Sequence, residues 1–306
     1  MTDRVDYDEF GLFHENAEEY GLPFDHPPTV RRVFTDVAGG RKLSSLVWQD
    51  REPELVLLHG GSQNAHTWDT VAMALDRPLV AIDLPGHGHS DGPGDRREGQ
   101  LDVQVNAADV ATVIRQLAPS AQAVVGMSFG GLTTIALTAE APALVRKVVL
   151  VDVLPGIKPG NAQHIADFTG GPTSFASLDE LLERTMRFNP TRSRSSLRRG
   201  VLHNAEQQPD GTWVWRWARH RRPAPAGPPA ETLYDQLWDM LSAITVPVLL
   251  ARGMRADSVL DDDNEQELRR RLPSAQIVHV EGAGHSLQGD TPLELAAIIE
   301  KFVFGS

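Results

Sequence analysis

A serine between closely spaced glycines is the residue whose surroundings best fit covalent catalysis. Ser128 lies in segment 126–131 (GMSFGG), which follows an apolar run and opens a stretch of helical pattern. Glycines two positions before and two after the serine permit a tight strand-to-helix turn that pushes its hydroxyl outward. The helix that follows presents free N–H groups to a developing oxyanion. The spacing therefore predicts a nucleophile at Ser128.

A nucleophilic serine needs a general base, and His285 is the best placed of the eleven histidines. It follows the last apolar run and precedes the last helical stretch. We therefore expect its side chain to project from a loop at the carboxyl ends of the strands, where the turn at Ser128 also opens. A loop histidine with only local hydrogen bonds is the alternative.

An acid must orient the imidazole and stabilise its cation. Asp257 follows the apolar run at 246–250 and is the preferred candidate, while Asp152, directly after the run at 148–151, is the alternative. The neighbouring acids at 261–263 fit the first turn of a helix, where negative charge is favourable. With Asp257 as the acid, the chain order is serine, aspartate, histidine, which differs from chymotrypsin and subtilisin.

Two other motifs suggest metal chemistry, and each lacks a residue that its signature requires. Segment 87–91 (HGHSD) matches part of a di-zinc signature, but Gly92 occupies the position of the next histidine. Segment 261–265 (DDDNE) hints at a calcium loop, but Gln266 stands where that loop requires glycine. The chain has no cysteine, no Walker A motif and no G-x-G-x-x-G. We therefore expect no metal and no cofactor.

Short apolar runs alternate with helical stretches from residue 54 onward, which predicts parallel strands covered by helices on both faces. Residues 30–37 and 42–48 read as a hairpin, and Pro292 with Glu294 predicts a last helix capped by Thr291. The other predicted strands are 55–58, 79–82, 123–125, 148–151, 246–250 and 276–280, and the helices are 68–75, 103–117, 132–139 and 264–272.

The alternation stops between residues 154 and 242, a stretch too long for a loop in a compact domain. It predicts a helical cap inserted into a core formed by 31–153 and 243–306, with 1–30 as an extension that packs over this core. Ten arginines stand against two acids between positions 184 and 222. The cluster at 192–199 could attract an anionic substrate, but a solvated cap face is favoured. Trp213, Trp215 and Trp217 fit either the pocket entrance or packing beneath the cap.

The formal net charge of −12 argues against a nucleic-acid partner. No uncharged apolar run reaches the ~18 residues that a membrane helix needs, and the acidic start does not resemble a signal peptide. The sequence predicts a cytoplasmic protein that acts on a small-molecule acyl substrate, and it leaves the oligomeric state open.

Together, the motifs resemble those of the α/β-hydrolase superfamily, from about residue 30 to the end of the chain. The resemblance rests on His59-Gly60-Gly61, segment 83–90 (DLPGHGHS), the turn at Ser128 and segment 282–285 (GAGH). It implies a mostly parallel eight-stranded sheet with helices on both faces and a helical cap. It also implies that the amides of Gly61 and Phe129 form the oxyanion hole, and it matches Trp68 to an aromatic common near the next helix.

The chain departs from many relatives at one position, because Ala256 stands where their acid lies and Asp257 comes one residue later. A serine at position 128 argues against epoxide hydrolases and haloalkane dehalogenases, which carry aspartate there. Segment 62–64 (SQN) lacks the glycine-proline-glycine pattern of carbon–carbon bond hydrolases. The favoured function is therefore cleavage of a small carboxylic ester or lactone through an acyl-enzyme on Ser128. The alternatives are a carbon–carbon bond hydrolase and a non-hydrolytic use of the scaffold as a receptor, lyase or cyclase.

Overall fold

An eight-stranded sheet forms the centre of the computed structural model, which describes residues 4–95, 102–220 and 230–305. The order across the sheet is β1-β2-β4-β3-β5-β6-β10-β11, and a small sheet of order β7-β9-β8 lies apart from it. The strands are β1 (Val30–Val37), β2 (Arg41–Trp48), β3 (Leu55–Leu58), β4 (Leu79–Ile82), β5 (Ala123–Met127), β6 (Val148–Val151), β7 (Ser174–Phe175), β8 (Ala205–Gln207), β9 (Trp213–Trp215), β10 (Val248–Gly253) and β11 (Gln276–Val280).

Strand β2 pairs antiparallel with both β1 and β4, and all later neighbours in the large sheet are parallel. Each parallel connection passes through helical structure, as the alternating pattern predicts. The helices are α1 (Phe13–Tyr20), α2 (Asp69–Leu75), α3 (Asp102–Leu117), α4 (Phe129–Glu140), α5 (Gln163–Thr169), α6 (Leu178–Phe188), α7 (Arg194–Asn204), α8 (Ala230–Ser242), α9 (Asp262–Arg271), α10 (Leu287–Asp290) and α11 (Pro292–Phe304).

Two apolar clusters cover the two faces of the large sheet. Side chains of β3 alternate between them, so Val56 and Leu58 pack toward α3 and α4, whereas Leu55 and Leu57 pack toward α2 and α11. Every residue of β3, β4 and β6 is buried, which explains why these runs are apolar without alternation. This architecture confirms the predicted α/β-hydrolase fold.

Residues before β1 pack on the second of these clusters. Phe13 of α1 is 2% exposed and meets the ring of Trp48 edge-on, with the centroids 5.1 Å apart. Phe10 and Phe24 pack against the same cluster, and Ala17 of α1 is also buried. The aromatic residues near the start of the chain thus contribute to the core.

The segment between β6 and β10 contains a separate small core. Phe175, Leu197, Trp213, Trp215 and Trp217 are buried together there, beneath α6 and α7. In contrast, Leu237, Trp238 and Leu241 of α8 pack into the cluster of the large sheet. Although the predicted cap extends to residue 242, its last helix therefore packs on the core.

The start of α11 departs from the predicted capping box. Thr291 is the N-cap residue and Pro292 occupies the first turn, but the threonine side chain makes no capping hydrogen bond. Its buried hydroxyl has no hydrogen-bond partner among the described residues. A capping box forms instead at α9, where Asp261 and Asn264 exchange hydrogen bonds. The acidic run at 261–263 thus begins a helix. Among the described residues, no helix is long and apolar enough to cross a membrane.

Candidate active site

Ser128 occupies a strained turn between β5 and α4. Its backbone has φ 50° and ψ −119°, a conformation that costs a non-glycine residue free energy. The turn is tightly packed: a Cβ on Gly126 would lie 2.5 Å from the carbonyl oxygen of Gly130, and one on Gly130 would lie 2.5 Å from that of His59. Only glycine fits either position, which explains the glycine spacing in the sequence. The turn has the strand–serine–helix geometry expected of a nucleophile elbow.

His285 follows β11 in a loop at the same edge of the sheet and is 7% exposed. Its Nδ1 lies 3.0 Å from Oδ2 of Asp152, so the ring donates through Nδ1–H to the carboxylate. Nε2 has no hydrogen-bond partner among the residues that the structure describes. This arrangement leaves Nε2 able to accept a proton.

Asp152 directly follows β6 and is completely buried, with φ 46°. Its Oδ1 accepts hydrogen bonds from the Gly253 amide at 3.0 Å and the Ser258 hydroxyl at 2.7 Å. Its Oδ2 accepts from the Val259 amide at 3.2 Å as well as from His285. Four donors thus compensate for burial of the carboxylate.

Asp257, the acid preferred from the sequence, does not contact His285. Its side chain is 47% exposed and forms an ion pair with Arg255, with 2.8 Å between Nη2 and Oδ2. The preference for Asp257 is therefore corrected, and the geometry selects the alternative, Asp152. The physical reason is the position of β6 between β5 and β10, which places Asp152 beside the ends of both strands. The useful sequence signal was an aspartate immediately after an apolar strand.

The loop after β3 lies against the serine turn. A Cβ on Gly60 would lie 3.2 Å from Cβ of Ser128, and one on Gly61 would lie 3.9 Å from Cβ of Phe129. Within 4–95, 102–220 and 230–305, neither the Gly61 amide nor the Phe129 amide donates to a protein acceptor. The two residues that the resemblance assigns to an oxyanion hole are therefore neighbours, and their amides have no acceptor among the described residues.

His87, from the rival zinc motif, and His59 hold this loop in place. His87 accepts a hydrogen bond at Nε2 from the Ser62 amide, 3.0 Å away, and its Nδ1 lies 3.1 Å from the Pro85 carbonyl. His59 accepts similarly from the Leu84 amide at 2.9 Å, and burial lowers its pKa to about 3. Both ring nitrogens of His87 thus form hydrogen bonds with the backbone. This histidine therefore has a structural role that needs no metal ion.

A polar cavity of about 170 Å³ adjoins the site. Ser128 and His285 do not line it, but residues that follow Gly61 and His285 in sequence do. These are Ser62, Gln63 and Asn64 on one side and Ser286, Gln288 and Gly289 on the other. Cap residues complete the lining, among them Asn189, Arg192, Asn204 and Trp215. The cavity is thus formed where the core and the cap meet, next to the candidate catalytic groups.

A buried cluster in this wall contains His66, Asp69 and His203, whose donor atoms lie within 4.8 Å of one another. This spacing could hold a metal ion, but the two imidazoles stack at 3.8 Å and 9°, so their in-plane lone pairs point parallel and do not converge on one point. Burial by itself would lower the pKa of His66, but hydrogen bonds to Asp69 and Glu9 raise it to about 9. Burial, with the cationic His66 beside it, holds the pKa of His203 well below its usual value. The stack therefore pairs an imidazolium with a neutral imidazole.

Comparison with known proteins agrees with this architecture. The model of the alpha/beta hydrolase family matches residues 55–298, and the chain belongs to this family. Among its relatives is the esterase Rv0045c of Mycobacterium tuberculosis, 43% identical over 302 residues that cover 95% of this chain and 94% of the esterase. A crystal structure of that esterase superposes with a TM-score of 0.80 at 40% identity, covering 98% of this chain and 99% of the other.

More distant relatives are also hydrolases by name. The 3-hydroxybutyrate-oligomer hydrolase of Cupriavidus necator is 28% identical over 88% of this chain and 95% of its own. The pimeloyl-[acyl-carrier protein] methyl ester esterase of Nitrosomonas europaea is 29% identical over 76% of this chain and 89% of its own.

Proposed function

We propose that this protein is a carboxylic ester hydrolase that forms an acyl-enzyme on Ser128, with His285 as general base and Asp152 as the orienting acid. The class of carboxylic ester hydrolase rests on the esterase relatives. The observation that carries the mechanism is the 3.0 Å contact of His285 Nδ1 with a buried carboxylate. It leaves Nε2 without a partner among the described residues, in a loop at the sheet edge where β5 leads into the serine turn.

The chemistry follows from these groups. His285 Nε2 takes the proton of the Ser128 hydroxyl as its oxygen attacks the ester carbonyl. The amides of Gly61 and Phe129 donate hydrogen bonds to the oxyanion of the tetrahedral intermediate. The imidazolium then gives its proton to the departing alcohol. A water molecule, activated by the same nitrogen, hydrolyses the acyl-enzyme and regenerates the serine. Asp152 stabilises the imidazolium in both steps.

A small carboxylic ester is the favoured substrate, and a lactone is compatible with the same steps because it too contains an acyl–oxygen bond. The cavity next to Ser62 and Ser286 is small, which favours a short substrate over a long chain. Carbon–carbon bond cleavage and a non-hydrolytic role remain the competing hypotheses.

Covalent labelling tests the proposal directly. The protein is incubated with a fluorophosphonate and its intact mass is measured, in parallel with hydrolysis of p-nitrophenyl butyrate. We expect one adduct on the native protein and none on Ser128→Ala. Ser120→Ala, a change at an exposed serine, serves as the matched control and should label normally. An adduct that persists in Ser128→Ala would refute the assigned nucleophile. An unlabelled native protein without ester hydrolysis would favour a non-hydrolytic role.

A further inference from the structure

The arginines of the cap segment 192–199 differ in their partners. Arg194 pairs with Glu183 at 2.6 Å, Arg198 lies 3.6 Å from Glu15, and Arg199 pairs with Glu19. Within the part of the chain that the structure describes, Arg192 has no carboxylate at ion-pair distance. Three of the four arginines therefore form ion pairs with carboxylates of the protein. Arg192 is the one of the four that has no such pair among the described residues.

Arg199, which pairs with Glu19, and Arg192 both line the cavity next to the candidate active site. Arg192 is half-buried there. It lines the polar cavity together with the loop that follows His285. Its Nη2 donates to Ser196 Oγ at 2.6 Å, whereas its buried Nε has no hydrogen-bond partner in the part of the chain that the structure describes. Burial lowers the pKa of Arg192, partly offset by Tyr20, Asp290 and Glu19. A guanidinium still remains charged in proteins, and an enclosed cation without a counter-ion is costly.

The position of this guanidinium depends on Gly289. A Cβ on this glycine would lie 2.6 Å from Nη1 of Arg192. The guanidinium can therefore occupy this position only because residue 289 has no side chain. Gly289 lies in α10, four residues after His285. The cap thus places a positive charge against the loop that carries the candidate general base.

We propose that Arg192 is a specificity-determining residue that binds a free carboxylate on the substrate, so that preferred esters are half-esters of short dicarboxylic acids. This inference rests on the proposed function. A carboxylate would supply the missing counter-ion, since it can accept two parallel N–H bonds from a guanidinium. The other charged residues that line the cavity already have partners, since Asp69 pairs with His66 and Arg199 with Glu19.

The test compares two activated esters of matched shape. Mono-p-nitrophenyl glutarate carries a terminal carboxylate, and p-nitrophenyl 5-methylhexanoate replaces that group by an isopropyl group of similar form. We expect kcat/KM of the native protein to be at least about tenfold higher for the glutarate, as for a charge-assisted hydrogen bond. Arg192→Met should lower this ratio about tenfold or more, and Arg192→Lys should lower it less. Arg198→Met, in the same segment, should keep the native ratio.

A second variant does not remove the arginine. Gly289→Ala should displace the guanidinium and lower the same ratio, with the melting temperature measured to confirm folding. A native ratio of one or less would overturn the inference while leaving ester hydrolysis at Ser128 intact. An unchanged ratio in both Arg192→Met and Gly289→Ala would also overturn it. If neither ester is hydrolysed and Ser128 is not labelled, the proposed function itself fails.

Discussion

Replacing Asp152 by asparagine isolates the role of the buried acid. The carboxylate accepts two hydrogen bonds at each oxygen, so either orientation of the amide turns its NH₂ group toward a backbone N–H. With NH₂ toward His285, the imidazole must carry its proton on Nε2 and can no longer accept one from Ser128. With NH₂ toward Gly253, the imidazole keeps its orientation but loses the negative charge that stabilises its cation.

We expect kcat of Asp152→Asn to fall by about 10²–10⁴-fold, the upper figure being that known for the equivalent change in chymotrypsin. The variant should also lose about 1–3 kcal/mol of stability, because a buried amide hydrogen is left without its acceptor. Hydrolysis of p-nitrophenyl butyrate measures the first effect and urea unfolding the second.

Asp257→Asn is the matched control. It weakens one ion pair that is nearly half exposed, and such pairs contribute at most about 1 kcal/mol. Its kcat should stay within about threefold of the native value. If Asp257→Asn is the slower enzyme and Asp152→Asn is nearly unimpaired, the assignment of the acid from the geometry is wrong.

The other predictions concern the serine, a glycine, pH and metals. Ser128→Ala should abolish turnover with the melting temperature nearly unchanged, and residual activity above a few per cent would contradict covalent catalysis. Gly130→Ala should yield little folded protein in expression trials, because its Cβ would meet backbone; a native melting temperature would show that the turn is looser than described. His66 gains affinity for its proton on folding, so its contribution is full below pH 6.5 and is lost as pH rises to about 9. The difference between these pKa values corresponds to about 3 kcal/mol, so unfolding in urea should show a loss of that order between pH 6.5 and 9.5 that is absent in His66→Gln; equal losses would refute this origin. Activity should survive prolonged chelation, since the proposed steps need only protein groups, and a loss that zinc restores would contradict the mechanism.

Much of the core could be predicted from the sequence because its signals are local. A strand covered on both faces must be apolar at every position, so 55–58, 79–82 and 148–151 were predicted with their observed bounds. The turn at Ser128 was also recognisable, since its glycines are required by contacts within six residues and with the adjacent strand. His285 could be placed after the last strand for the same reason.

Features that depend on which elements become neighbours could not be predicted in this way. Asp152 and Asp257 each follow an apolar run, and only the position of β6 beside β10 gives Asp152 its four donors. The cap arginines looked like one solvated cluster, because Glu15 and Glu19, which pair with two of them, lie about 180 residues earlier in the chain. Helix α8 was assigned to the cap because no local pattern shows that this helix packs against α4.

The sequence by itself determined the alternation of strands and helices, the nucleophile turn and the candidate base, because short-range sterics and side-chain periodicity specify them. Only the tertiary structure decided which aspartate contacts His285 and which arginine has no carboxylate partner among the described residues. Both depend on contacts between charged groups that are far apart in the sequence and are brought together by folding. The free energy of a buried charge is set by the donors and acceptors that packing brings to it.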